Sequence, residues 1–292
     1  MRAIGKPLAP IFALAAAPAW AHNDGTPQFE PPGWTLDPWI VLPLLIAALL
    51  FGVGWWRLRT RSSRGADRLG SRARLFACGW FVLAAALVSP LHQAGERSFA
   101  AHMFEHELIM LATAPLLVLS EPLALMLWAF PSGGRRRIGQ LTNARAVETM
   151  WFFLTAPVTA TLLQAAALWL WHAPALFDLA LANDGWHAVQ HLSFLVSALL
   201  FWTAMLGRRT APGIAALCLV VTSIVSGALG ALMAFATSPW YAGYARLGMA
   251  PFGLSPAEDQ QLAGLIMWIP GGLVHAGAAL IVMRRILRPA YA

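Results

Sequence analysis

Cysteine is almost absent: Cys78 and Cys218 are the only two in 292 residues, and no C-x-x-C occurs. That excludes a disulfide framework and a thiolate metal shuttle, and both residues read as small members of a buried core. Charge is nearly as scarce. Asp, Glu, Lys and Arg together make up 11% of the chain, too little to coat a soluble domain. Alternating ten-residue segments of the kind that build a membrane β-barrel are missing as well. There is no Gly-rich phosphate loop, no Ser-His-Asp arrangement and no internal repeat.

What is present is apolar. The composition is 59% hydrophobic with a mean hydropathy of +0.62, and a span needs about 20 mainly apolar residues. Seven segments qualify: 38–56, 75–91, 103–130, 147–172, 186–206, 213–236 and 259–283. The expected fold is all-α, a polytopic membrane helical bundle with seven transmembrane helices. Ahead of it, Arg2 and Lys6 precede the apolar stretch Leu8 to Pro18 and the small-x-small motif Ala19-Trp20-Ala21. This pattern predicts a secretory signal peptide over residues 1–21, cleaved after Ala21, and one transmembrane domain over 22–292. Cleavage there exposes His22, whose amine and imidazole form a nitrogen pair suited to Cu(II).

Lysine and arginine give the orientation. Arg57, Arg59, Arg61, Arg64, Arg68, Arg72 and Arg74 share one side of a seven-span layout with Arg135, Arg136, Arg137, Arg145, Arg208, Arg209, Arg284, Arg285 and Arg288. The opposite loops hold Arg97 and Arg246. The basic side is cytoplasmic, which puts the mature N-terminus in the periplasm and the C-terminus inside. Topology therefore accounts for the pI near 10.6, and no nucleic-acid partner is needed.

The histidines segregate the other way. His22, His92, His102, His106, His172, His187 and His191 all fall at or just within the periplasmic face; His275 lies deeper. His102 with His106, and His187 with His191, are spaced i and i+4, one helix face each. Ionisable groups are costly in a bilayer, so two such pairs at matching depth point to metal or haem iron. Imidazole suits copper, zinc and iron, and the thioether of Met103 adds softness for Cu(I). Asp178, Asp184 and Asp259 are periplasmic carboxylates able to ligate or to fix a histidine tautomer. The plain alternative is interfacial histidines that bond to backbone. His102-Met103-Phe104-Glu105-His106 also fits the H-x-x-E-H protease pattern, but the second pair encloses Ala188, Val189 and Gln190 with no acid. A protease is therefore not expected.

Two helices carry further signals. Pro115 and Pro122, with Glu121 between them, should break the third segment. Ser255, Pro256 and Glu258 form a capping box that starts the seventh, and Pro270-Gly271-Gly272 should kink it. His275 lies sixteen residues past Asp259, about 24 Å along a straight helix, which is too far to join an outer cluster.

These residues resemble the multi-span CtaG family of cytochrome c oxidase assembly factors, associated with caa-type oxidases. The matching stretches are SPL at 89–91, HMFEH at 102–106, APLL at 114–117, WHAPALFDLAL at 171–181, HAVQHLSFL at 187–195 and DQQLAGLIMWIPGG at 259–272. The sequence does not resemble the single-span family of the same name, which carries copper-binding cysteines. The resemblance implies a non-enzymatic role in maturing haem-copper oxidases through their copper centre. Its partners would be an oxidase subunit and a periplasmic copper donor, in the bilayer of the bacterial inner membrane. Family positions fall on His102, His106, Trp171, His172, Pro174, Asp178, His187, His191, Asp259, Gln260 and Trp268 to Gly272. Glu105 and Phe177 depart from the family pattern, and His92 is not part of it. The expected metal ligands are His102, His106, His172, His187, His191, Met103, Asp178, Asp259 and His275, with copper as the metal. A transition-metal transporter, with His275 and the Pro-Gly-Gly break lining its path, or a b-type haem electron carrier are the other function classes considered.

Overall fold

The computed structural model describes residues 31–61 and 65–287. The expectations for the signal peptide and His22 lie outside the described residues. Those described fold as helices: α1 (Pro38–Arg61), α2 (Ala66–Val88), α3 (Pro90–Gly95), α4 (Phe99–Glu107), a π-helical segment (Leu108–Thr113) and α5 (Ala114–Ser120). There follow α6 (Pro122–Met126), α7 (Ser132–Thr142), α8 (Arg145–Leu154), α9 (Pro157–Trp171), α10 (Pro174–Ala182), α11 (Asp184–Leu206), α12 (Pro212–Ala234), α13 (Ala242–Leu247) and α14 (Pro256–Leu287). Six helical stretches are long and apolar enough to cross a membrane, and a bent pair brings the number to as many as seven. Large apolar side chains such as Leu49, Leu162, Ile224 and Leu280 are exposed on these stretches, as expected where lipid is the solvent. The chain is a multi-pass helical membrane protein.

The bent pair corrects the expectation of one helix over 147–172. Pro157 disfavours helical backbone at Ala156, which is extended at φ −66°, ψ 136°. α8 and α9 consequently meet at 66°.

The third segment also departs from expectation, because Pro115 does not break it. A proline ring cannot tolerate the carbonyl four residues back, and the helix responds by widening into the π segment just before it. Ala114 N–H there reaches back to Ile109 O. The five-residue pattern would next ask Pro115 to donate to Met110 O, and proline has no N–H. Trp202 Nε1–H, from α11, donates to that carbonyl at 2.9 Å. The helix stops instead at Glu121, whose φ of +48° is left-handed, and Pro122 begins α6.

α12 and α14 are in close backbone contact. A Cβ on Gly264 would lie 2.5 Å from Gly230 O and from Ala234 N, so only glycine admits this approach. α14 is one continuous helix through Pro270 and Gly271, so the Pro-Gly-Gly stretch does not interrupt it. Its capping box forms as read: Ser255 N–H donates to Glu258 Oε2 at 2.8 Å, and Glu258 N–H donates to Ser255 Oγ at 3.3 Å. The cysteines divide: Cys218 is buried, but Cys78 is exposed on α2 rather than in the core.

Around the start of α2, Arg57 donates to Ala129 O at 2.7 Å, Arg72 pairs with Glu121, and the Arg135 guanidinium lies 4.1 Å over the Trp128 ring. His92 follows the other end of α2, so arginines and histidines mark opposite ends of that helix.

Candidate metal centre

α4 is held in place from its N-terminus. Ser98 is its N-cap and accepts from Ala101 N–H at 3.2 Å. The Asp259 carboxylate, from the first turn of α14, accepts from Ser98 Oγ at 2.8 Å, Phe99 N at 2.6 Å and Ala100 N at 3.3 Å. A carboxylate at a helix N-terminus satisfies free N–H groups and complements the helix dipole. α3 approaches the same helix closely: a Cβ on Gly95 would lie 3.3 Å from His102 Cα. Tyr244 Oη–H secures that corner by donating to Gly95 O at 2.5 Å. Burial pushes its hydroxyl well above the usual range, so it remains a donor.

The result is a box of imidazoles. Ring centroids lie 4.3 Å apart for His102 and His106, 4.9 Å for His106 and His191, 4.4 Å for His187 and His191, and 5.2 Å for His102 and His187. His92, from α3, stacks on His187 at 5.4 Å. Nitrogens of His102, His106 and His191 all lie within 4.8 Å of one another. Nitrogens bound to one ion at about 2.0–2.1 Å are at most about 4 Å apart, so small side-chain turns close this triad on a metal. His92, Glu105 and His191 form a second group of the same kind, sharing His191.

Polar satisfaction points the same way. His102 Nε2, both ring nitrogens of His106, His187 Nε2, His191 Nε2 and Glu105 Oε2 are buried without a hydrogen-bond partner. Such orphans are rare in folded proteins and each costs about 1–3 kcal/mol. A set of them converging from two helices is suited to an ion that supplies the missing partner. Glu105 Oε1 meanwhile lies 2.7 Å from His92 Nδ1 and 3.8 Å from His191 Nδ1, where a carboxylate can orient ligating imidazoles. Burial lowers the affinity of the His92 ring for a proton, but the hydrogen bond and charge of Glu105 outweigh it and hold the ring above its ordinary pKa.

The remaining expected ligands are placed elsewhere. Asp259 has its oxygens on the α4 cap. Asp178 accepts from Gly243 N–H at 2.9 Å and Ala242 N–H at 3.2 Å, tying α13 to α10. Gln260 accepts from Trp240 N–H at 2.6 Å. All three set loop and helix positions rather than face the imidazoles. Tyr241, raised by burial and by the Asp178 charge, donates to His172 O at 3.1 Å. His172 and Met103 touch each other, with Nε2 and Sδ 3.3 Å apart. His275 is deep and separate: Nδ1 donates to Gly271 O at 2.7 Å, and its ring stacks on Trp202 at 5.8 Å.

Sequence reasoning missed His92 and Glu105 as members of the cluster. In the sequence Glu105 stands out only as the acid of an H-x-x-E-H pattern and as a departure from the family pattern, and His92 lies outside the recognised motifs. A clue was available at Ser89-Pro90, a helix start that puts His92 in the first turn of a new helix, where Ser89 Oγ accepts from Leu91 N–H at 3.3 Å.

No solved structure matches the chain. Among curated proteins, it is 28% identical over 284 residues to an uncharacterized protein of Mycobacterium bovis and 26% identical over 283 residues to one of Mycobacterium leprae. Each match covers 89% of this chain and 41% of the relative, so the chain spans about two fifths of the length of the curated relatives it matches. The family model described as cytochrome c oxidase caa3 assembly factor matches residues 49–289. With most of its length inside that match, the chain belongs to the caa3 cytochrome c oxidase assembly-factor family.

Proposed function

We propose that this chain is a non-enzymatic assembly factor that captures copper at its periplasmic face and presents it to a haem-copper oxidase subunit. The observation that carries the reading is the convergence of orphaned imidazole nitrogens from His102, His106 and His191, with His187 beside them. An all-nitrogen set suits copper, and copper here is cargo. The chain's own residues hold it and exclude water, while Glu105 orients His92 and His191. Release is by ligand exchange with a site of higher affinity. A periplasmic donor supplies the metal.

Membership of an oxidase assembly family supports the oxidase as recipient. Five imidazoles with centroids mostly 4.3–5.7 Å apart leave no slot for a macrocycle, which argues against the haem reading. The engagement of His275 by Gly271 and Trp202 argues against a transport path through it.

The same reading has seven spans, counting α8 with α9 as one, a signal peptide cleaved after Ala21, a periplasmic mature N-terminus and a cytoplasmic C-terminus in the bacterial inner membrane. The segregation of arginines supports that orientation. A reporter fused after Arg288 should be active in the cytoplasm; activity confined to the periplasm overturns it.

The functional test is oxidase maturation in cells carrying His106→Ala or His191→Ala at normal abundance. Loss of oxidase copper with haem retained is expected. Full oxidase activity in both variants overturns the proposal.

A further inference from the structure

Met103 follows His102 directly, yet it faces a different neighbour. Successive helical residues point about 100° apart, and the turn carries Met103 from the imidazole box to the C-terminal end of α9. There it meets His172 in a contact that ordinary hydrogen bonding does not explain. His172 Nδ1 is 2.6 Å from Leu168 O. A carbonyl oxygen only accepts, so Nδ1 carries the ring proton. In the neutral ring Nε2 is then bare, and Nε2 is the atom 3.3 Å from Met103 Sδ. A thioether sulfur has no proton to give either. Two lone pairs therefore face each other, on side chains only 3% and 1% exposed. Methionine is flexible enough to point its sulfur elsewhere, whereas the ring is fixed through Leu168.

We propose that Met103 Sδ and His172 Nε2 form a second metal position, selective for a soft monovalent cation such as Cu(I), beside the imidazole triad. This rests on the reading of the histidine cluster as a copper site and divides that site in two. A neutral nitrogen and a neutral thioether suit Cu(I), while the triad accepts either oxidation state. Metal–nitrogen and metal–sulfur bonds of about 2.0 and 2.3 Å together exceed the observed separation, so one ion can touch both atoms without moving the helices apart.

Two aromatic rings join the positions. Phe177 lies 5.3 Å from the His102 ring and 6.1 Å from His172; Phe194 lies 4.7 Å from His106 and 6.3 Å from His172. Both phenylalanines are fully buried. A dry apolar shell of this kind controls solvent access to a metal, here limiting it at the thioether position.

The test uses the detergent-purified full chain with Ag(I), a soft ion that stays monovalent, and Cu(II) as separate probes. Bound metal is measured by mass spectrometry and the ligand atoms by X-ray absorption. Silver in the wild type should show a sulfur neighbour. Met103→Leu should remove that neighbour and weaken binding of the sulfur-coordinated Ag(I) by about tenfold or more, since even the loss of an outer-shell partner costs about 10–100-fold; silver held by the triad, with nitrogen neighbours only, should remain. Cu(II) binding should remain. Cu(II) binding with no sulfur next to silver in the wild type overturns this proposal and leaves the triad standing. A sulfur neighbour that persists in Met103→Leu also overturns it. Failure to bind either metal overturns both readings. Should Met103→Leu not fold, the wild-type silver spectrum together with that of His172→Gln decides: the proposal requires nitrogen and sulfur in the first and loss of the sulfur-bound ion in the second.

Discussion

His106→Leu is expected to make the metal-free protein more stable while destroying its function. His106 is 1% exposed and both its ring nitrogens lack partners. Leucine has similar bulk, brings no polar atoms and removes two unsatisfied ones, each of which costs about 1–3 kcal/mol when buried. The loss of ring contacts with His102, His191 and Phe194 offsets part of this gain. The net should be a rise of about 1 kcal/mol, read as a higher thermal midpoint of purified apo protein. If His106 is instead a structural residue, the midpoint falls. A stable variant that cannot support oxidase maturation is the signature of a residue retained for its ligand atoms at some cost to the fold.

Asp259→Ala should do the reverse. Its carboxylate takes three donors at the start of α4, 3% exposed and contributed from a helix 160 residues away in sequence. Without it, Ser98 Oγ and the Phe99 and Ala100 N–H groups lose their partner in a buried place. Removing the buried charge recovers some desolvation energy, so the expected net loss is about 2–4 kcal/mol. Asp259→Asn keeps one acceptor oxygen and should lose about half as much. Denaturant titration of both variants measures this. Because α4 carries His102 and His106, metal affinity should fall with the cap. Stability unchanged in Asp259→Ala would contradict the role of the cap.

Hydropathy made the helical membrane class readable, because burial in lipid demands long apolar runs. The i, i+4 histidine pairs were readable for a similar reason: helical periodicity alone puts each pair on one face. What was hidden depends on meetings between distant segments. Asp178 and Asp259 look like ligands in sequence because carboxylates serve as ligands; only the backbone N–H groups of 242–243 and 99–100 reveal their work. The His92–Glu105 contact needs α3 to come within reach of α4 at Gly95, which no spacing rule predicts. Pro115 looked like a break because its missing N–H is evident, whereas the Trp202 indole that compensates the π segment lies on another helix. Pro157 was visible, but a kink is easily missed inside a run whose hydropathy continues through it.

Copper binding by the imidazole cluster is read from the metal retained by full-length purified protein after equilibration and desalting, measured by elemental mass spectrometry in wild type, His106→Leu and His191→Leu. The wild type should keep copper in at least stoichiometric amount, and each variant should lose most of it while remaining folded. A wild type that holds no more copper than the variants would show that these imidazoles are not a copper site.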